Sequence, residues 1–162
     1  MPPKKIKQVS ELTEWEWEEL DSGKQSLVSA AQKALETAYA PYSQFLVGAA
    51  VLLDNENVFA ASNQENVSFP VGTCAERLAL GYAYGQFPKA KPLKIAIAAR
   101  RTSDLSTYAA VTPCGMCRQS ISEYEVLFGQ EMEILILTPQ KTVLIGEGIK
   151  QFLPFKFEDL NR

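Results

Sequence analysis

The three cysteines of this chain fall in two short stretches, and no histidine accompanies them. One stretch is Thr73-Cys74-Ala75-Glu76-Arg77; the other is Pro113-Cys114-Gly115-Met116-Cys117-Arg118-Gln119. An odd number of cysteines cannot pair fully within one chain. A Cys-x-x-Cys without a disulfide framework points to metal ligation or thiol chemistry. The absence of histidine removes histidine-based catalytic triads and histidine-containing metal sites. A fold that uses all three thiols must bring two segments about 40 residues apart to one point, which few arrangements allow.

Each stretch reads as the start of a helix. The first helix is expected from Cys74 to Tyr84, with Leu78, Ala79, Leu80 and Ala83 available to a core and Gly85 as its stop. The second is expected from Cys114 to Leu127, with Pro113 where a helix best tolerates proline and an end near Gly129. A cysteine at a helix N-terminus meets unpaired N–H groups and the positive end of the dipole, which favour its thiolate. Cys114 and Cys117, three apart on a helix, face the same way. If the two helix starts face each other, three sulfurs converge in a soft donor set that suits zinc.

Three protein ligands leave one position for water, and zinc lowers the pKa of such a water from about 15.7 to about 7. Three thiolates weaken that effect by over-neutralising the metal. The helix dipoles compensate in part, and Arg77 is placed to hydrogen-bond a thiolate and withdraw charge. Glu76 lies near the metal-bound water and can take and return its proton. These residues alone leave two other readings open: a thioredoxin-type redox pair, or half of a structural zinc knuckle with Cys74 a buried bystander.

The rest of the chain reads as a scaffold. Residues 1–22 form an N-terminal extension around Trp15 and Trp17, read either as an edge strand or as an arm whose aromatics dock on a neighbour. Leu27, Ala30, Ala31, Ala34, Leu35 and Ala38 recur at helical spacing, with Ser22 as N-cap and Pro41 beyond the end. Apolar runs predict strands at 45–53, 58–62, 93–99, 134–137 and 143–145, and a short helix is expected between Gly146 and Phe152. Gly48 inside the first run permits close backbone approach. Helices interleaved with these strands predict one layered α/β domain over 23–162, with helices on both sides of a mixed five-stranded sheet.

Composition excludes several function classes. The 162 residues are 46% hydrophobic and 22% charged, with a net charge of −3, which provides no basic footprint for nucleic acid. No apolar run approaches the ~20 residues needed to span a bilayer. The first residues lack the apolar core of a signal peptide, so the expected compartment is the cytoplasm.

The two cysteine stretches resemble those of the zinc-dependent nucleoside deaminases. Cysteine rather than histidine in Cys74-Ala75-Glu76 is similar to the cytidine deaminase branch. Three further segments resemble that family: Ala40-Pro41-Tyr42-Ser43 with Phe45 and Val47-Gly48-Ala49-Ala50; Asn63-Gln64-Glu65-Asn66; and Phe152-Leu153-Pro154 with Phe157. Five motifs in order cover the chain from about residue 40 to 160.

The resemblance implies a three-layer α/β/α fold and one Zn2+ per subunit on Cys74, Cys114 and Cys117. Glu76 becomes the catalytic proton carrier. Phe45 packs on the pyrimidine, Asn63 and Glu65 bind the ribose hydroxyls, and Ala75 and the Thr112 carbonyl contact the base, the latter at its exocyclic amine. Neutral and anionic acceptors suit a sugar rather than a phosphate, so a nucleoside is favoured over a nucleotide. The implied reaction is hydrolytic deamination of cytidine or deoxycytidine to the uracil nucleoside and ammonia, in pyrimidine salvage. A homotetramer is implied, with Phe69 and Phe157 reaching a neighbouring subunit. Phe69 stands where the family often has Tyr. The rival readings are a blasticidin-type antibiotic nucleoside deaminase and a non-catalytic zinc-stabilised binding protein.

Overall fold

The protein is described by a computed structural model over residues 3–157. The outermost residues of the expected extension and of the expected catalytic domain lie outside the described residues. The elements in chain order are β1 Thr13–Trp15, α1 Ser22–Ala34, β2 Phe45–Leu53, β3 Val58–Ser62, α2 Ala75–Gln86, β4 Pro92–Arg101, α3 Gly115–Phe128, β5 Glu133–Leu137 and β6 Val143–Glu147.

Successive strand residues point to opposite faces, and here both faces are covered. Ala49, Val51, Ile95, Ile97, Ile134 and Ile136 meet Ala79, Leu80 and Ala83 of α2 and Ile121 of α3. Their neighbours Ala50, Ala96, Ala98, Leu135, Leu137 and Ile145 meet Leu27, Val28 and Ala31 of α1. That two-sided burial is why the central strands read as continuous apolar runs. The result is the expected three layers.

The sheet is mixed, with the order β1-β6-β5-β4-β2-β3. β4 and β5 run parallel and the other neighbouring pairs antiparallel. It has six strands where the sequence predicts five. The sixth is β1, which pairs Thr13–Trp15 with Ile145–Val143 at the edge of β6. Thr142 Oγ1 donates to Glu14 Oε1 at 2.6 Å, and Glu11 N donates to Gln151 Oε1 at 2.8 Å, so the N-terminal segment is fastened to the C-terminal one.

Gly48 allows α1 to lie directly on β2: a Cβ there would stand 2.1 Å from the Ala31 carbonyl oxygen. Several expected boundaries shift. Asp21, not Ser22, caps α1, its Oδ1 accepting from Lys24 N at 2.8 Å, because a carboxylate one residue earlier reaches the same orphan donor. α1 gives way to a tight turn at Leu35–Thr37 before Pro41 is reached. Gly85 lies inside α2, whose last residue is Gln86. Gly146 belongs to β6, where a Cβ would meet the Phe152 ring at 2.6 Å, and only a 3-10 turn at Ile149–Gln151 follows. Among the described residues, no helix is long and apolar enough to cross a membrane.

Candidate metal centre and active site

Cys74 and Cys114 are the N-caps of α2 and α3, each with extended backbone and no side-chain capping bond. The first helical bonds run from Leu78 N to Cys74 O and from Arg118 N to Cys114 O. The helices therefore begin one residue later than expected, at Ala75 and Gly115. Pro113 lies just before the cap rather than inside the first turn. Cys117 is the third residue of α3, so its side chain turns back toward the cap. The unpaired N–H groups of two helix starts thus surround the cysteines and favour negative charge there.

The three Sγ atoms lie within 4.8 Å of one another, with Cys74–Cys114 at 3.8 Å and Cys114–Cys117 at 3.4 Å. Tetrahedral zinc with Zn–S bonds near 2.3 Å requires sulfurs about 3.8 Å apart, so the donors and their spacing fit that ion. Cys117 is fully buried and Cys74 half-buried. A hydrogen bond from the Cys117 thiol, opposed by burial, brings the Cys74 thiol down to about 6. The same hydrogen bond, together with burial, pushes Cys117 up.

Glu76, the second residue of α2, is only 5% exposed. Burial raises its carboxyl above the ordinary range, while hydrogen bonding with Cys117 and the Arg77 charge pull the other way. The Arg77 charge also lowers Cys74. The expected hydrogen bond to a thiolate is not the one it makes: its Nη1 donates to Met116 Sδ at 3.7 Å, because Met116 inside the Cys-x-x-Cys lies across the start of α2, and Arg77 acts on Cys74 through its charge.

The segment expected to meet a sugar is tied to the metal centre by backbone. Gln64 and Thr73 exchange hydrogen bonds of 2.9 Å, which sets Asn63 and Glu65 on either side of a bridge that ends one residue before Cys74. Asn63 clamps the start of β2, accepting from Val47 N at 2.9 Å and donating to the Phe45 carbonyl at 3.0 Å. Glu65 Oε2 accepts from Tyr42 N at 2.9 Å and Ser43 N at 3.2 Å. Hydrogen bonding with Ser43 first, and with Tyr42, holds its carboxyl below the usual range. Tyr42, Ser43, Glu65, Phe69 and Gly72 line a groove of about 400 Å³. Phe69 is exposed and meets Tyr42 edge to face at 5.6 Å. Phe45 is half-buried under the Arg101 guanidinium, 5.4 Å from its ring centre, because β4 extends two residues further than expected and pairs Arg101 with Phe45.

Thr112 precedes the second cysteine stretch, and Ala75 is buried against the sheet at the start of α2. Phe157 is exposed, its carbonyl held by Gln119 Nε2 at 2.9 Å. Sequence reasoning assigned no role to Arg118, whose guanidinium reaches Thr112, Pro113 and Phe152. Its place one turn after Cys114 was the available signal. A larger cavity, about 530 Å³ beside β1, is lined by Glu11, Trp15, Lys24 and Glu147 and shares no residue with the cysteine cluster. Volume alone would therefore have misplaced the site.

Residues 21–128 match the family model for the cytidine and deoxycytidylate deaminase zinc-binding region. The chain is 41% identical over 100 residues to the cytidine deaminase of Halalkalibacterium halodurans, covering 62% of this chain and 70% of that one. It is 35% identical over 136 residues to a probable cytidine deaminase of Dictyostelium discoideum, covering 82% and 84%. Its fold superposes on the crystal structure of cytidine deaminase from Burkholderia pseudomallei with a TM-score of 0.68 and 33% identity, over 82% of this chain and 97% of that one.

Proposed function

The chain belongs to the cytidine deaminase family, and on that premise we propose that Glu76 carries the proton for hydrolysis of cytidine or deoxycytidine at a zinc held by Cys74, Cys114 and Cys117. The observation that carries this reading is the convergence of three Sγ atoms within 4.8 Å beside a buried carboxylate that follows one of them by two residues. A purely structural metal site has no use for such a carboxylate.

Zinc, when bound there, supplies the Lewis acidity that lets a water lose its proton near neutral pH. Glu76 takes that proton and gives it to the ring nitrogen beside C4; it then takes the second proton, from the oxygen newly bonded to C4, and gives it to the amine, so that the C4–N bond breaks as the C4 carbonyl forms. One water is consumed; the uracil nucleoside and one ammonia are produced. Arg77 draws charge from the Cys74 sulfur and from Glu76, which counters the excess negative charge of three thiolates.

Phe45 packs against the pyrimidine, Asn63 and Glu65 hold the ribose, and Ala75 and the Thr112 carbonyl meet the base. The low carboxyl of Glu65 keeps a negative charge at the sugar, which suits hydroxyl donors and repels a phosphate. The active unit is a homotetramer in which Phe69 and Phe157, exposed at 72% and 69%, are buried by neighbouring subunits. The catalytic domain spans 23–162, with 1–22 an added segment. The enzyme works in the cytoplasm in pyrimidine salvage, where a reducing environment keeps three thiols available to a metal.

The test is absorbance loss and ammonia release with cytidine, deoxycytidine and a blasticidin-type nucleoside, with and without a zinc chelator. Turnover of the first two that the chelator abolishes is expected. Turnover of the antibiotic alone would contradict the substrate assignment. Light scattering that finds a monomer at micromolar concentration would contradict the tetramer.

A further inference from the structure

Arg118 holds three successive residues of the loop that delivers a metal ligand. Its Nε donates to the Pro113 carbonyl at 2.6 Å, its Nη2 to Thr112 Oγ1 at 2.8 Å, and its own backbone N–H to the Cys114 carbonyl at 2.8 Å. Residues 108–114 have no regular secondary structure, so bonds of this kind set their conformation. The Thr112 carbonyl sits between two held groups, the Thr112 hydroxyl and the Pro113 carbonyl. Pinning the atoms on both sides of a main-chain carbonyl fixes the direction in which it can accept from a ligand donor.

The fourth bond runs outward. Arg118 Nη1 donates to the Phe152 carbonyl at 2.8 Å, and Gln119, the next residue on α3, holds the Phe157 carbonyl. One turn of α3 therefore references both the ligand loop and the C-terminal segment. On the N-terminal side, Gln8 bonds the Lys150 carbonyl and the Phe155 N–H, so that segment is gripped from two directions. A planar guanidinium fixes such acceptors in a rigid fork that a lysine ammonium does not reproduce.

We propose that Arg118 is a positioning residue for the deamination. It fixes the Thr112 carbonyl where it accepts from the exocyclic amine of a cytosine nucleoside, and it keeps that carbonyl in register with the segment bearing Phe157. This rests on the reading of the site as one that deaminates cytidine.

The experiment compares zinc-loaded wild type with Arg118→Gln, Arg118→Lys and Thr112→Val. It measures KM and kcat for cytidine, zinc per chain, and Ki for pyrimidin-2-one ribonucleoside, which has no amine. Arg118→Gln is expected to raise the cytidine KM about tenfold, or about 1.4 kcal/mol. Thr112→Val, which loses one of the bonds, is expected to raise it about threefold, with Arg118→Lys between them. The analogue's Ki stays within about twofold and zinc content is unchanged, because neither depends on amine recognition. Cytidine KM and analogue Ki rising together would overturn the proposal, as would loss of zinc or no change at all. If Arg118→Gln does not fold, Thr112→Val carries the same comparison. Wild type that binds zinc but leaves cytidine intact would overturn the underlying reading and the proposal with it. An active wild type with unaffected variants overturns the proposal alone.

Discussion

Replacing Gly48 by alanine places one methyl group in the contact between α1 and β2. The new Cβ would lie 2.1 Å from the Ala31 carbonyl oxygen, 3.0 Å from Leu35 N and 3.2 Å from the Ala31 carbonyl carbon. All three are backbone atoms, so no side chain can rotate aside. The helix and strand must separate by about 1 Å to restore ordinary contact, which opens gaps along the layer formed by Leu27, Val28 and Ala31. Overpacking a core usually costs about 1–3 kcal/mol, and a rigid backbone contact belongs at the upper end, about 3 kcal/mol. For a chain of this size that lowers Tm by roughly 6–12 °C. Gly81 is the internal control: it lies in α2 with nothing within 4 Å of its would-be Cβ. Gly81→Ala should stabilise by about 0.5–1 kcal/mol through helix propensity and unfolded-chain entropy. Urea titration of both variants gives the two signs directly. A Gly48→Ala unfolding free energy within about 1 kcal/mol of wild type would refute the close contact. The same shift from both variants would show that glycine substitution in general, and not this contact, sets the cost.

Two other outcomes follow from the geometry. Cys74→Ala and Cys117→Ala each remove one of three converging sulfurs and are expected to leave well under one zinc per chain after dialysis, with turnover falling in step. Retained stoichiometric zinc in either would mean that the cluster is not the metal site. Glu125 is buried on α3, and its Oε1 accepts from Met132 N at 3.0 Å and Ile149 N at 2.9 Å. Burial raises its carboxyl; the two backbone donors and Lys156 pull down, and Glu131 adds to the rise. Its contribution to stability is therefore complete below the unfolded pKa of about 4.3 and is lost as pH rises through the higher folded value. Wild type should lose stability relative to Glu125→Gln as pH climbs from about 4 to neutrality. Parallel curves of urea midpoint against pH would contradict this.

The cysteine motif and the central strands were legible because their signals are local and redundant. Two-sided burial writes apolar runs into β2, β4 and β5, and a thiol at each helix start leaves a recognisable spacing. Gly48 was legible for the same reason, a lone glycine inside an apolar run. β1 was legible only as one of two options. It is three exposed residues with no alternation, and its place is set by the free edge of β6 rather than by its own side chains. Asp21 and Ser22 are both good caps, and only the backbone decides which one the first turn uses. Arg118 was invisible as a positioning group because its partners, a hydroxyl and two carbonyls, lie on segments whose meeting is a tertiary event. The contact of Arg77 with Met116 is likewise a product of α2 meeting α3.

Glu76, and not merely the metal beside it, is proposed to perform the proton transfer. The most direct test is single-enzyme kinetics on zinc-loaded wild type and Glu76→Gln, with cytidine as substrate and metal content measured on the same samples. Glutamine keeps the shape and cannot carry the proton, so about one zinc per chain is expected in both proteins, with kcat lowered by about 10²-fold or more in the variant. A Glu76→Gln enzyme with full zinc and wild-type kcat would contradict it.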